Sequence, residues 1–328
     1  MRALGLASDF GLSMALTFLR RASPAALPHA SPWLRSLGGG PPVRVRTQWE
    51  RACPEVLPGL DTPGWVVGPG TDRAALPPAL AFITELEAGA AEVRREFLAL
   101  RGRGSFQEYR APAKEGEGGG GAGGGGDAAP LGVTATTCGT WSVCYLALHN
   151  AGAEEGVGGA LAHCPATAAL LARAPRAYGH AFFSVLAPGT HIAPHCGPSN
   201  KKLRVHLPLV VPPGAGAARM RVGGVTHALQ EGRALCFQDS WEHEAWVDAA
   251  APCARAVLVV DLWHAALTPQ EVKLLSFLRG STMRAARAAS DAGALPPAQD
   301  FFRVLRGGAA RPTEDARVFE GLVPVRDD

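Results

Sequence analysis

From about residue 131 the apolar positions fall into short runs: 142–147, 180–186, 203–211, 219–222, 234–238 and 255–263. Turn residues separate them, among them Pro188-Gly189, Gly197-Pro198, Pro212-Pro213-Gly214, Gly223-Gly224 and Glu231-Gly232. Short strands at regular spacing, with no helices between them, predict an all-β sandwich or jelly roll. Upstream the period changes. Phe82, Leu86, Ala90, Val93 and Phe97 recur every three or four residues over 77–100, opposite a charged face, and predict one surface helix. A helical insert is expected at 166–173. Thr268, Pro269 and Glu271 stand as N-cap, N1 and N3 of a capping box that opens another helix.

The pattern divides the chain into five stretches. Residues 1–46 form a disordered or targeting N-terminus, and 47–112 a helical part packing on the core. Residues 113–130, nearly all glycine over 115–127, are a linker or loop that cannot offset the entropy of ordering. Residues 131–278 form the β core. Residues 279–328, Ala/Arg-rich and helical in part, are a peripheral tail. The fold class is mainly β with flanking helices.

Composition narrows the function classes. The net charge is +3, too small to argue for nucleic acid. No apolar stretch approaches the roughly 18 residues of a membrane-spanning helix. Residues 1–46 carry six arginines against the single acid Asp9, the composition of an organelle transit peptide. A plain disordered N-terminus fits equally, so cytoplasm and organelle both stay open. Seven scattered cysteines without a C-x-x-C argue against structural zinc and a disulfide scaffold. Reduced thiols are the simple reading, with Cys138 pairing with Cys144 or Cys164 as the exception.

Candidate chemistry sits in the β region. Alternation in 203–209 puts Arg204 and His206 on one face and the aliphatic residues on the other. In isolation that face would be solvated. Its neighbours point elsewhere. His195 ends a strand before a tight turn, and His243 follows an apolar run; two imidazoles on a rigid β scaffold suit a divalent transition metal. Arg204 on a nearby strand suits a carboxylate bound beside the metal, and Arg255, opening an apolar strand, must reach solvent or an anion.

The strings that hold these residues read S-x-x-x-P-G-T-H-x-x-P-H-x-G-P-x-N-x-x-L-R-x-H-L from Ser184, F-x-D-S-x-E-H-E-x-W from Phe237, and R-x-x-x-x-V-D-x-W-H-x-x-L-T-P from Arg255. In these the chain resembles the aspartyl/asparaginyl β-hydroxylase family over about a quarter of its length. The resemblance implies a double-stranded β-helix (cupin-like jelly roll) and an iron(II)- and 2-oxoglutarate-dependent dioxygenase using O2, with ascorbate as a supporting reductant. It implies His195 and His243 as metal ligands. Arg204 and His206 would line the 2-oxoglutarate site near its metal-chelating end, and Ser184 and Arg255 would hold the distal carboxylate. His195, His243 and Arg204 are the catalytic set.

Related oxygenases carry an acid two residues after the first histidine. Here that position is Gly197, as the family's pattern has it, which implies a metal with two protein ligands. Asp239 and Glu244 are fallback carboxylates. The implied substrate is an Asp or Asn residue of a peptide or protein. A lipid acyl chain or a small amino-acid derivative is the alternative, and a non-catalytic jelly-roll binding module the contrasting class. His191 reads as a positioning or packing residue, and Asn200 as either a turn orienter or a substrate contact. Oligomeric state is not legible.

Overall fold

The computed structural model describes residue 17 and residues 24–37, 47–113 and 132–322. The glycine-rich stretch and most of the Arg-rich N-terminus lie outside the described residues.

Among the described residues there are twelve strands: β1 (Trp65–Val67), β2 (Gln107–Glu108), β3 (Thr136–Cys138), β4 (Trp141–Leu148), β5 (Ala177–Leu186), β6 (His191–His195), β7 (Lys202–Val210), β8 (Ala218–Val222), β9 (Val225–Ala228), β10 (Leu235–Gln238), β11 (His243–Val247) and β12 (Arg255–Trp263). They form a seven-stranded sheet, ordered β1-β10-β7-β12-β5-β4-β2, and a five-stranded sheet, ordered β3-β6-β11-β8-β9. Every pairing within the two sheets is antiparallel. The expected mainly-β jelly roll is the observed fold. Four short strands of two to four residues, β1, β2, β3 and β9, are the sheet edges. Edge strands have one unpaired side and need less apolar pattern.

The larger sheet is buried on both faces. Its inner face, with Val143, Phe182, Phe237, Val257 and Val259, packs against Ile192, Met220, Val222 and Val247 of the smaller sheet. Its outer face, with Phe183, Val205, Leu207, Leu258 and Val260, packs under helices. This explains why β12, the central strand of the seven, reads as an apolar run from Ala256 to Val260: each of its nine residues is buried. The alternation read in 203–209 holds. Leu203, Val205 and Leu207 face the helices, which leaves Arg204 and His206 facing inward.

The expected helix over 77–100 is two, α2 (Phe82–Ala88) and α3 (Ala90–Ala99), following α1 (Ala30–Leu37). The break falls at Gly89, where a Cβ would come within 2.7 Å of Leu170 Cδ1. Leu170 lies on α4 (Pro165–Ala172), the expected insert, whose Thr167 amide donates to the Glu96 carboxylate of α3 at 2.8 Å. The capping box at Thr268 starts α5 (Pro269–Asp291), which runs across the boundary expected at residue 278.

Two stretches are more integral than their composition suggests. Within 1–46, residues 24–37 are ordered: Leu27, Trp33 and Leu34 pack on Leu274 and Leu278 of α5. The tail beyond 279 is not peripheral, because α6 (Phe301–Ala309) and α7 (Asp315–Val318) bring Phe302, Val318 and Phe319 into buried positions. Phe319 joins Phe97 and Phe106 in one aromatic cluster, with ring centroids 5.5 and 5.7 Å away. The few apolar residues of an Ala/Arg-rich segment sufficed to anchor it. Phe97 is fully buried and also touches Phe183. Phe97→Ala should therefore cost about 3–5 kcal/mol in chemical denaturation.

Candidate active site

Between the sheets lies a pocket of about 390 Å³, counting its open mouth. Phe182, Ile192, Met220, Phe237 and Val259 give it apolar walls. Its polar groups come from both sheets.

His195 and His243 are direct partners in the β6–β11 ladder, so strand register alone brings their rings together, with centroids 4.2 Å apart. Each is anchored the same way. His195 Nδ1 lies 2.8 Å from Ala193 O, and His243 Nδ1 lies 2.7 Å from Trp241 O. A carbonyl can only accept, so each Nδ1 carries the proton and each Nε2 keeps its lone pair. That is the state a metal ligand needs. Burial reinforces it: both imidazoles are pushed below the usual histidine range by desolvation, His243 to about 3. The donor pair fits a first-row divalent metal. Among the described residues no group of three or more His, Cys, Asp or Glu side chains forms a metal cage.

Ser184 and Arg255, on the paired strands β5 and β12, line the same pocket. Ser184 Oγ accepts a hydrogen bond from Trp141 Nε1 at 3.0 Å. Arg255 is 3% exposed, and its Nη1 has no hydrogen-bond partner among the described residues. Burial lowers the guanidinium to about 9. An unpaired buried cation is costly, and a carboxylate would relieve it. His206 is also held well below its ordinary range, by burial and then by Arg255 and Arg204, and so stands neutral on the wall.

Arg204 sits differently from a free carboxylate receptor. It lines the pocket, yet its Nε and Nη2 donate to Asp261 at 2.8 and 2.9 Å and its Nη1 lies 3.0 Å from Asp239 Oδ1. Lys202 Nζ bridges the same two acids, 2.6 Å from Asp239 Oδ2 and 2.8 Å from Asp261 Oδ2. His180 Nδ1 is a further 2.8 Å contact of Asp261. Burial pulls both carboxyls up, but the two cations outweigh it and hold both below the ordinary range. Sequence reasoning missed Lys202 and Asp261. The available signal was their parity: Lys202 alternates with Arg204 and His206, and Asp261 interrupts an apolar central strand.

The other named residues find plain roles. Glu244 is engaged by Arg221 and by His191 Nε2 at 2.8 Å. Asn200 is wholly buried and pins Leu57 by two hydrogen bonds of 2.8 Å, which orients the turn. All seven cysteines are free. Tyr109 stacks on Trp141 at 3.8 Å, a pairing with no sequence signal.

Gly197 is explained by its surroundings. A Cβ there would lie 1.7 Å from Asp239 Oδ2 and 2.4 Å from Asp239 Cγ. The acid that residue 197 lacks is matched by one that fills its side-chain space. Gly197→Ala should therefore destabilise the fold by about 1–3 kcal/mol and displace Asp239, read by denaturation and by cobalt(II) titration.

The buried histidines also set an acid limit. An imidazole held neutral in the fold and ordinary when unfolded lets the unfolded chain bind more protons as pH drops. For His243 the stabilisation is complete above about 6.5 and is lost as pH falls from there toward about 3. The slope is about 1.4 kcal/mol per pH unit for that residue, to be read from denaturation midpoints across the range.

A sequence model of the aspartyl/asparaginyl β-hydroxylase family matches residues 87–265, more than half of the chain. The human protein named aspartyl/asparaginyl beta-hydroxylase is 41% identical over 115 residues, covering 34% of this chain and 15% of that one. Human aspartate beta-hydroxylase domain-containing protein 2 is 41% identical over 102 residues, 31% of this chain and 27% of that one. Its Xenopus tropicalis counterpart is 36% identical over 138 residues, 40% and 35% of the respective chains. The match thus spans about a third or less of these relatives' length. A Pseudomonas putida prolyl-4-hydroxylase structure superimposes with a TM-score of 0.32 at 13% identity, over 57% of this chain and 88% of that one. So slight a likeness adds nothing to what the strand order shows.

Proposed function

This chain belongs to the aspartyl/asparaginyl β-hydroxylase family, and we propose that it is an iron(II)- and 2-oxoglutarate-dependent dioxygenase. The reaction would be hydroxylation of the β-carbon of an Asp or Asn residue in a peptide or protein. One observation carries the reading: two neutral imidazoles converge in the same pocket as a buried arginine whose Nη1 has no hydrogen-bond partner among the described residues. A metal donor pair beside an anion-seeking cation suits a metal-chelating keto acid with a distal carboxylate.

The residues divide the work. His195 and His243 hold the metal through Nε2, each fixed in tautomer and direction by a backbone carbonyl. Arg255 receives the distal carboxylate of 2-oxoglutarate, with Ser184 Oγ beside it, oriented by Trp141. His206 and Arg204 line the metal-chelating end. His206 is neutral there, and Arg204 contributes charge from a fixed position. The apolar walls exclude water and strengthen each charge-assisted bond, worth about 1.5–3 kcal/mol apiece. When bound, iron(II) and 2-oxoglutarate supply the oxidising chemistry, in which dioxygen converts 2-oxoglutarate to succinate and CO2 and places one oxygen atom in a substrate C–H bond.

Succinate release by the purified protein, with and without iron(II), is the direct test. Wild type should show slow iron-dependent turnover even without a peptide. His195→Ala should abolish it, and Arg255→Ala should raise the 2-oxoglutarate requirement at least about tenfold. Absence of turnover together with absence of calorimetric binding of iron(II) and 2-oxoglutarate would overturn the reading. Peptides containing Asp or Asn should then stimulate turnover, with a mass gain of one oxygen on the modified residue.

A further inference from the structure

Asp239 Oδ1 lies only 3.8 Å from Nε2 of His243. A carboxylate this near a two-histidine metal site is well placed to become a third ligand, and the question is what prevents it. The ring of charges gives an answer. Each Asp239 oxygen faces one cation: Oδ1 faces Arg204 Nη1 and Oδ2 faces Lys202 Nζ. Neither cation is free to follow Asp239 toward the histidines, because both are moored to Asp261. Asp261 is wholly buried on β12, directly opposite Arg204 in the β7–β12 ladder. The backbone of Gly197 closes the other side: its N–H donates to Asp239 O at 2.7 Å, and its missing Cβ leaves room for the carboxylate.

We propose that Lys202 and Asp261, neither of which lines the pocket, are positioning residues that hold Asp239 away from the metal. They act through Arg204 and through Lys202 itself, and they keep the two-imidazole site free of a third protein ligand. The inference rests on the metal-dependent reading above. The ring balances two positive against two negative charges, so the mooring adds no net charge to the site.

Cobalt(II) is the probe, since its visible spectrum reports ligand number and type. Lys202→Met with Asp261→Asn keeps the ring neutral while releasing Asp239 Oδ2. The double variant should bind cobalt(II) about tenfold more tightly, with a changed spectrum, and adding Asp239→Asn should restore the wild-type affinity and spectrum. If the double variant does not fold, Lys202→Met alone is the second test, read by its spectrum. It frees Asp239 Oδ2 from its cation, so the cobalt(II) spectrum should change as a carboxylate joins the two imidazoles, and adding Asp239→Asn should reverse the change. A folded double variant with wild-type affinity and spectrum overturns the inference and leaves the functional reading standing; so does a folded Lys202→Met protein with the wild-type spectrum. A wild-type protein that binds no cobalt(II) overturns both.

Discussion

Burying Asp239 and Asp261 inside a β-sandwich is tolerable only because Lys202 and Arg204 bridge them. Lys202, Asp239 and Asp261 are buried and Arg204 is only 16% exposed, so removing any one partner would strand a buried charge at a cost of about 3–5 kcal/mol. The ring also ties separate parts of the chain together. Lys202 and Arg204 come from β7, Asp261 from β12, and Asp239 from the turn just after β10. β7 pairs with both other strands, so a one-residue slip in either ladder would turn the cations toward the helices and the apolar residues toward the pocket. Polar complementarity inside and apolar burial outside therefore specify the same register.

That register fixes what the pocket offers. Strand alternation sends Arg204 and His206 to the inner face and Val205 and Leu207 to the helix-covered face. The same logic on β12 turns Arg255 inward and leaves its Nη1 without a hydrogen-bond partner among the described residues. In the smaller sheet, pairing of β6 with β11 sets His195 against His243. Desolvation then keeps both rings neutral, which suits ligation and excludes the imidazolium state near neutral pH. One cause, withdrawal from water, makes the histidines good donors and leaves Arg255 in need of an anion.

The helical layers support this geometry from outside. Phe97 and Phe319 draw α3 and the C-terminal segment onto the outer face of the larger sheet. Covering both faces makes the central strands rigid, and rigid strands hold site residues more accurately than loops do. The ordered segment 24–37 extends the same principle to α5, where His29 and Ala30 amides both donate to Glu271.

Much of this was legible in the linear chain. The strand runs, the turn residues between them and the capping box at Thr268 follow from local rules that involve near neighbours only. The residue types and strand positions of His195, Arg204, His206, His243 and Arg255 singled out a candidate site, and the motifs around them carried a family resemblance. Other features were decided by tertiary structure. The edge strands, two to four residues long, are too short to show a period, because an edge needs little pairing or burial. The division of the 77–100 helix depends on how closely Leu170 approaches Gly89. The burial of the tail depends on partners some two hundred residues away. Above all, the sequence shows Lys202 and Asp261 as isolated charges, and Gly197 as a missing acid. Only packing reveals that the space beside Gly197 is filled by Asp239, because charge pairing and steric exclusion act across strands that the sequence does not place side by side.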